Sequence, residues 1–350
     1  MTTAALAPPL TDPTPIFEHF RGHLATELLT AAVAHLDLFG RLAEGAKPLE
    51  ELRQEMGLAE RPAVVLLTGL RAMGLVAADG NGRLGLTDLA REHLVPGAEF
   101  DVGGYVGLAA QSPGVLGMVE RLRTNHPAGS KQGEQGAAFI YREGIDSAME
   151  QETSAWTLTL SLAGRARNVA PVLVERFPLP EARVLVDVGG GSGLYAMAYL
   201  RAYPELEAIV WDRPEVLKVA HEMAEQFGVG DRLECRSGDM FTEPVPHGAD
   251  VILLSNVLHD WDVPECQTLV GRMAEALQPG RRLLIHDVFL DDAMDGPLPI
   301  ALYSAALFCL TEGRAYSAAE YRQWLTEAGL EPGPITPTLV HGGVLPGVKH

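Results

Sequence analysis

The stretch Arg183-Val184-Leu185-Val186-Asp187-Val188, running into Gly189-Gly190-Gly191-Ser192-Gly193, restricts the possible folds of this chain more than any other. An apolar run of strand length, then clustered glycines, then a helical pattern from Leu194, predicts a strand turning sharply into a helix with its backbone open to a ligand. The alternation continues downstream. EAIVWD, RLECRSGD, ADVILLSN and RRLLIHDVFL read as further short strands separated by helical patterns. Such a pattern folds as a parallel α/β sheet, whose ligands lie at the carboxyl ends of the strands.

Two cofactor templates fit the glycines. Gly191-Ser192-Gly193-Leu194-Tyr195-Ala196 satisfies the dinucleotide pattern, with Asp212 about 20 residues on. Asp187 discriminates between them, because a carboxylate just before the loop repels a pyrophosphate and receives a cation. S-adenosylmethionine (SAM) has a cationic ammonium and sulfonium and no phosphate, so it suits the loop better than NAD. Asp212, ending the second strand, can accept both ribose hydroxyls. Asp239, ending the third, can accept from an adenine amino group while Met240 packs on the ring. Any one of these aspartates alone would read as a turn or helix cap; three at successive strand ends point to a ligand.

Upstream, residues from Pro15 to about Val95 show helical spacing in three segments, PIFEHFRGHLATELLTAAVAHLDLFGRLAEG, PLEELRQEMG and ERPAVVLLTGLRAMG, followed by two short apolar runs around Asp79-Gly80-Asn81-Gly82. Three helices and a hairpin form a winged-helix order. DNA is a poor partner for it: the recognition segment Glu60 to Gly74 offers only Arg61 and Arg71, and 27 Lys plus Arg against 46 Asp plus Glu leave a net charge of −19. Leu28, Leu29, Val33 and Leu36 instead suggest an apolar face for a second copy of the chain.

The strand-end motifs resemble those of the SAM-dependent O-methyltransferases of the plant caffeate and hydroxyindole type and their bacterial natural-product relatives. The resemblance rests on DVGGGSG, Trp211-Asp212-Arg213-Pro214 followed by Val216, Gly238-Asp239-Met240-Phe241, Leu258-His259-Asp260-Trp261, and Glu312-Gly313-Arg314 through Ala328-Gly329-Leu330. It implies cofactor contacts at Gly189, Asp212, Asp239, Met240 and Ser255, Trp261 against adenine, and an intertwined dimer built by the winged-helix region. With the loop and its flanks, the expected cofactor residues are Asp187, Gly189, Gly191, Asp212, Arg213, Asp239, Met240, Phe241, Ser255, Asn256 and Trp261. Two positions depart from the family: Ser255 stands where the plant enzymes usually carry lysine, and Ala315 where they carry a second acid bracing the histidine.

His259 follows the fourth strand and precedes Asp262-Val263-Pro264-Glu265, a capping-box pattern. It thus faces the cofactor end of the sheet. An acceptor hydroxyl must lose its proton during methyl transfer, and a phenol of pKa ~10 facing an imidazole of pKa ~6.5 is uphill by about 5 kcal/mol. Deprotonation therefore accompanies attack, with His259 as base. By the resemblance Asp287 is the first bracing acid. A metal is not expected, since His286 and Asp287 are neighbours on a strand and point to opposite faces. Met118, Phe139, Met149, Trp156, Leu307, Phe308 and Tyr316 are candidates for an apolar acceptor pocket, although core packing explains each equally well.

The sequence therefore predicts an α/β, Rossmann-like SAM-dependent methyltransferase domain with an N-terminal helical winged-helix dimerisation domain. Its expected parts are a tail (1–12), the dimerisation domain (13–100) and a catalytic domain (101–350), the last divided into a helical pocket linker (101–170) and a core (171–350). Three cysteines without a CxxC pair, no signal peptide and no apolar stretch of about 18 residues predict a cytoplasmic homodimer that spans no membrane. Its expected acceptor is a small aromatic metabolite. Alternatives are methyl transfer to carbon or nitrogen, a ligand-sensing DNA-binding regulator, and a nicotinamide dehydrogenase.

Overall fold

The computed structural model describes residues 5–126 and 152–350. They gather into two compact units, one holding 5–17, 152–289 and 318–350, the other 18–126 and 290–317. This differs from the single boundary expected at residue 100. Residues 290–317 return to the N-terminal unit because the helix Leu298–Leu310, LPIALYSAALFCL, is apolar on nearly every side and must be enclosed. Its Leu302, Ala305, Phe308 and Cys309 join that unit's core.

Five helices, not three, precede the hairpin: α1 (Thr14–Arg21), which begins before residue 18, and, within that unit, α2 (His23–Ala34), α3 (Leu38–Ala43), α4 (Leu49–Met56) and α5 (Glu60–Ala72). The long leading segment breaks after α2, where Asp37 takes the left-handed conformation at φ 49°. Strands β1 (Val76–Ala78) and β2 (Leu84–Leu86) then pair antiparallel, as the turn residues predict. A second correction concerns the apolar face of α2. Leu28 and Leu36 are buried in this unit's own core and present no free surface, while Leu29 and Val33 are partly buried against it. Gly69 on α5 makes the packing possible, since a Cβ there would stand 2.7 Å from Leu28 Cδ1.

The two-residue β8 (Tyr316–Ser317) falls within the N-terminal unit, and the other unit is built on β3 (Val184–Val188), β4 (Glu207–Asp212), β5 (Leu233–Ser237), β6 (Val251–Ser255) and β7 (Arg282–Leu290), followed by β9 (Leu330–Pro332), β10 (Thr336–Pro337) and β11 (Gly342–Lys349). Along the sheet the order is β10-β11-β7-β6-β3-β4-β5, with β9 beside β11. From β7 to β5 all pairs are parallel; β11 runs antiparallel to β7. Continuous apolar sequence in β3 and β6 matches burial on both faces. The chain leaves β3 towards β4 on one side and later returns on its other side as β6. This reversal opens a crevice at the carboxyl ends of β3 and β6.

The expected tail is partly anchored. Leu6 packs against the sheet unit's core, and Asp12 accepts from the Thr14 N–H (2.9 Å) and hydroxyl (2.6 Å) ahead of α1.

Candidate active site

At the end of β3 the backbone turns through Gly189 at φ 62°, where a Cβ would press on Val257 Cγ2 at 3.0 Å. The Gly191 N–H, farther along this loop, donates to Asp212 Oδ2 (2.8 Å), while Asp212 Oδ1 accepts from the Arg213 N–H (2.7 Å). Asp212 is thereby aimed across the loop. Burial raises its pKa, and the two N–H donors and the Arg213 charge oppose that rise.

Asp187 stands directly behind the loop with no exposed surface, and neither carboxylate oxygen has a hydrogen-bond partner. Burial pushes its pKa up to about 7; the Ala196 N–H, which points at the carboxyl without completing a hydrogen bond, opposes the rise, and the nearby Asp212 adds to it. A buried carboxyl without a partner fits a cationic ligand group, and SAM carries two. The affinity for SAM is therefore expected to rise with pH. Below about 7 the empty carboxyl holds a proton that a bound cation displaces, giving up to roughly tenfold tighter binding per pH unit and a plateau above. Calorimetry across this range checks it; a flat profile, or an unchanged slope in Asp187→Asn, removes Asp187 from the site.

Asp239 makes a turn of its own, accepting from the Phe241 N–H (2.9 Å) and the Thr242 hydroxyl (2.8 Å). The cap reading, set aside for the three aspartates together, thus accounts for its bonds here. Its neighbour Met240 is pinned by Arg272, which donates to the Met240 carbonyl (2.9 Å). Phe241 meets Trp261 edge to face at 4.8 Å, forming one aromatic corner of the kind that holds a flat ring.

Ser255, ending β6, bonds to His286 Nδ1 at 2.8 Å, and His286 Nε2 reaches Thr338 Oγ1 at 3.2 Å. Burial, with the charge of Arg165, lowers the His286 pKa to about 3, so this ring is neutral. Asn256, at φ 56°, donates to Ser255 Oγ (3.1 Å) and Tyr195 Oη (3.3 Å), leaving its own buried Oδ1 without a partner.

His259 occupies the single turn Leu258–Asp260, and the next helix opens at Asp262, whose carboxylate accepts from the Val263 N–H. Its Nδ1 lies 2.6 Å from Asp287 Oδ1. Burial acts to raise the Asp287 pKa, but the charge and hydrogen bond of His259, the Val288 N–H and Arg165 outweigh it and lower the net value. An ionised carboxylate only accepts, so Nδ1 carries a proton, and in the neutral ring Nε2 keeps its lone pair. Asp260 Oδ1 stands 3.7 Å from Nε2, and burial pushes the Asp260 pKa up to about 7. On the adjacent strand positions His286 and Asp287 contact Ser255 and His259 respectively, and no group of three or more metal-ligating side chains occurs among the described residues.

The proposed pocket residues do not come together as one lining. Met118 and Phe308 lie in the core of the N-terminal unit with 0% and 1% exposure, and Tyr316 is fully buried under the Arg314 guanidinium. Leu307 is buried at 5%. Core packing accounts for Met118, Phe308 and Tyr316 where they stand. Trp156 packs against the core of the sheet unit, while Phe139 and Met149 fall outside the described residues. Sequence reasoning missed Tyr321, whose hydroxyl donates to Asp287 Oδ2 at 3.1 Å. No local pattern connects positions 34 residues apart.

A parallel sheet with this strand order, its glycine loop and acidic strand ends, and a histidine beside the crevice, defines the class of SAM-dependent methyltransferases. Residues 136–331 match the O-methyltransferase domain family, and the chain belongs to it. Among curated relatives it is 34% identical to 3-hydroxy-5-methyl-1-naphthoate 3-O-methyltransferase of Streptomyces sahachiroi, over 91% of this chain and 89% of that one. The crystal structure of an O-methyltransferase family 2 protein from Planctomyces limnophilus in complex with apigenin matches at a TM-score of 0.89 and 50% identity, covering 99% of each chain. Human N-acetylserotonin methyltransferase in complex with SAM shares the fold, at a TM-score of 0.59 and 21% identity over 96% of both chains. The protein is a SAM-dependent O-methyltransferase.

Proposed function

We propose that the enzyme methylates a hydroxyl of a flat aromatic acceptor, phenolic or polyketide-like, in the cytoplasmic secondary metabolism of its host, with His259 as general base. The 2.6 Å bond between His259 and Asp287 carries this reading: it directs the unprotonated Nε2 away from its brace and stabilises the imidazolium formed when Nε2 takes the acceptor proton. When bound, SAM supplies an electrophilic methyl group. Asp187 would hold its cationic end, Asp212 its ribose, and Met240, Phe241 and Trp261 its adenine. Gly189, Gly191, Arg213, Asp239, Ser255 and Asn256 complete the cradle. The relatives, a hydroxynaphthoate methyltransferase and a family 2 protein in complex with apigenin, support an aromatic acceptor. The test is incubation with SAM and either 3-hydroxy-1-naphthoate or apigenin, with the product assigned by NMR. Methyl groups on oxygen support the proposal; methyl groups on carbon, or no product from either phenol, defeat it.

The N-terminal unit is proposed to be a winged-helix dimerisation module. Phe20, Tyr105 and Leu108 are 76%, 79% and 81% exposed, apolar surface that a second copy of the chain could cover. Arg61 and Arg71, the cations available for DNA, are engaged inside this unit. The Arg61 guanidinium donates to the carbonyls of Thr311, Gly313 and Asn125 and to the Asn125 side chain, and Arg71 pairs with Asp295 at 3.7 Å. Their use there favours the enzyme over the DNA-binding regulator. The double substitution Tyr105→Glu, Leu108→Glu is expected to convert a dimer to a monomer in light scattering; an unchanged mass rejects this face as the interface.

A further inference from the structure

We propose that Tyr321 serves as the second brace of the base, holding Asp287 from the side opposite His259 and setting how strongly that carboxylate retains the imidazole proton. The inference rests on the general-base reading of His259. Asp287 is 1% exposed, and its two oxygens are divided between partners. Oδ1 accepts from His259 Nδ1 (2.6 Å) and the Val288 N–H (2.8 Å), whereas among the described residues Oδ2 accepts only from the Tyr321 hydroxyl (3.1 Å).

The ring that delivers this hydroxyl is fixed. Tyr321 is fully buried on the helix Ala318–Glu327, edge to face with Phe289 at 5.4 Å and with Trp324 at 5.3 Å. Ala315, where the family resemblance places a second acid, is itself fully buried, with its N–H bonded to Ser304 Oγ. Chemically a phenol is not an equivalent replacement. Two carboxylates in one buried site raise each other's pKa, whereas a neutral O–H donor confines Asp287 and favours its ionised form. By drawing charge off Oδ2, the same bond weakens the hold of Asp287 on the His259 proton and keeps Nε2 available at lower pH. Charged groups around His259 include Asp260, 3.7 Å from Nε2, and Arg165, whose charge acts on both Asp260 and Asp287. Cys266 contributes a neutral thiol to the Leu258 carbonyl at 3.1 Å.

The test compares wild type, Tyr321→Phe and Trp324→Phe by the NMR titration of ¹⁵N-labelled His259, identified by its absence in His259→Gln, together with kcat and KM on a phenol. Tyr321→Phe keeps the ring and loses the donor. Its His259 titration is expected to move upward by about half a pH unit, and kcat to fall about tenfold with acceptor KM nearly unchanged, the loss of one hydrogen bond to a charged group. Trp324→Phe disturbs the same packing without touching Asp287 and should leave the titration in place. An unmoved titration in Tyr321→Phe, or an equal shift in Trp324→Phe, overturns the proposal. Should Tyr321→Phe fail to fold, global replacement of tyrosine by the more acidic fluorotyrosine strengthens the donor, and the His259 titration should then move downward; no movement overturns the proposal equally. Failure of the general-base reading shows separately, as full activity in His259→Gln.

Discussion

His259→Gln is expected to lower kcat by about 100- to 10,000-fold, the usual contribution of a positioned general base, while SAM binding stays within about twofold of wild type. The size follows from the proton balance. Without Nε2 the acceptor hydroxyl loses its positioned base, and a phenol of pKa ~10 must ionise before it attacks. Glutamine preserves much of the volume and can still bond to Asp287, so the loss reports chemistry rather than packing. The variant should recover at high pH, where a phenol ionises unaided; a rate that stays low up to pH ~10 would mean that His259 orients the acceptor instead. Asp287→Asn is expected to follow in the same direction. An amide can present its own N–H to Nδ1 and so favour the wrong tautomer of the imidazole.

Asp212→Ala is the second large effect, an expected weakening of SAM binding by at least about 100-fold, since the two hydrogen bonds that the proposed role gives this carboxylate to the ribose hydroxyls would be lost together. The same substitution removes the acceptor of the Gly191 and Arg213 N–H groups, so the loop loses its own anchor as well. Asp212→Asn separates the two contributions, because the amide oxygen still accepts one bond and the charge is gone. Calorimetric titration with SAM and its demethylated product, alongside thermal unfolding, distinguishes lost ligand contacts from a collapsed loop. Binding unchanged in Asp212→Ala would place the ribose elsewhere.

The strand ends were legible because each is a local event. DVGGGSG, EAIVWD and ADVILLSN carry their periodicity and turn chemistry within a few residues, so β3, β4 and β6 fall where the sequence predicts them. The bond from His259 to Asp287 was accessible through the family resemblance, although the two lie 28 residues apart. Pocket residues were not legible. Met118 and Phe308 look alike whether they line a cavity or fill a core, and only their burial reveals the second role. The apolar face of α2 misled for the same reason: Leu28 was read as a surface for a second chain, and Gly69 of α5 provides the space that takes it into its own core.

Short-range chemistry therefore let the sequence alone determine the class of fold, the glycine loop after β3, and the position of the histidine after β6. Apolar periodicity and glycine turns act over less than one element's length, and their meaning survives without knowledge of the rest of the chain. Tertiary structure alone decided that residues 290–317 join the N-terminal unit, that Arg61 is engaged within it, and that Tyr321 reaches Asp287. Each of these depends on which distant surfaces exclude water together, and burial of that kind leaves no periodic mark on the sequence around any one residue.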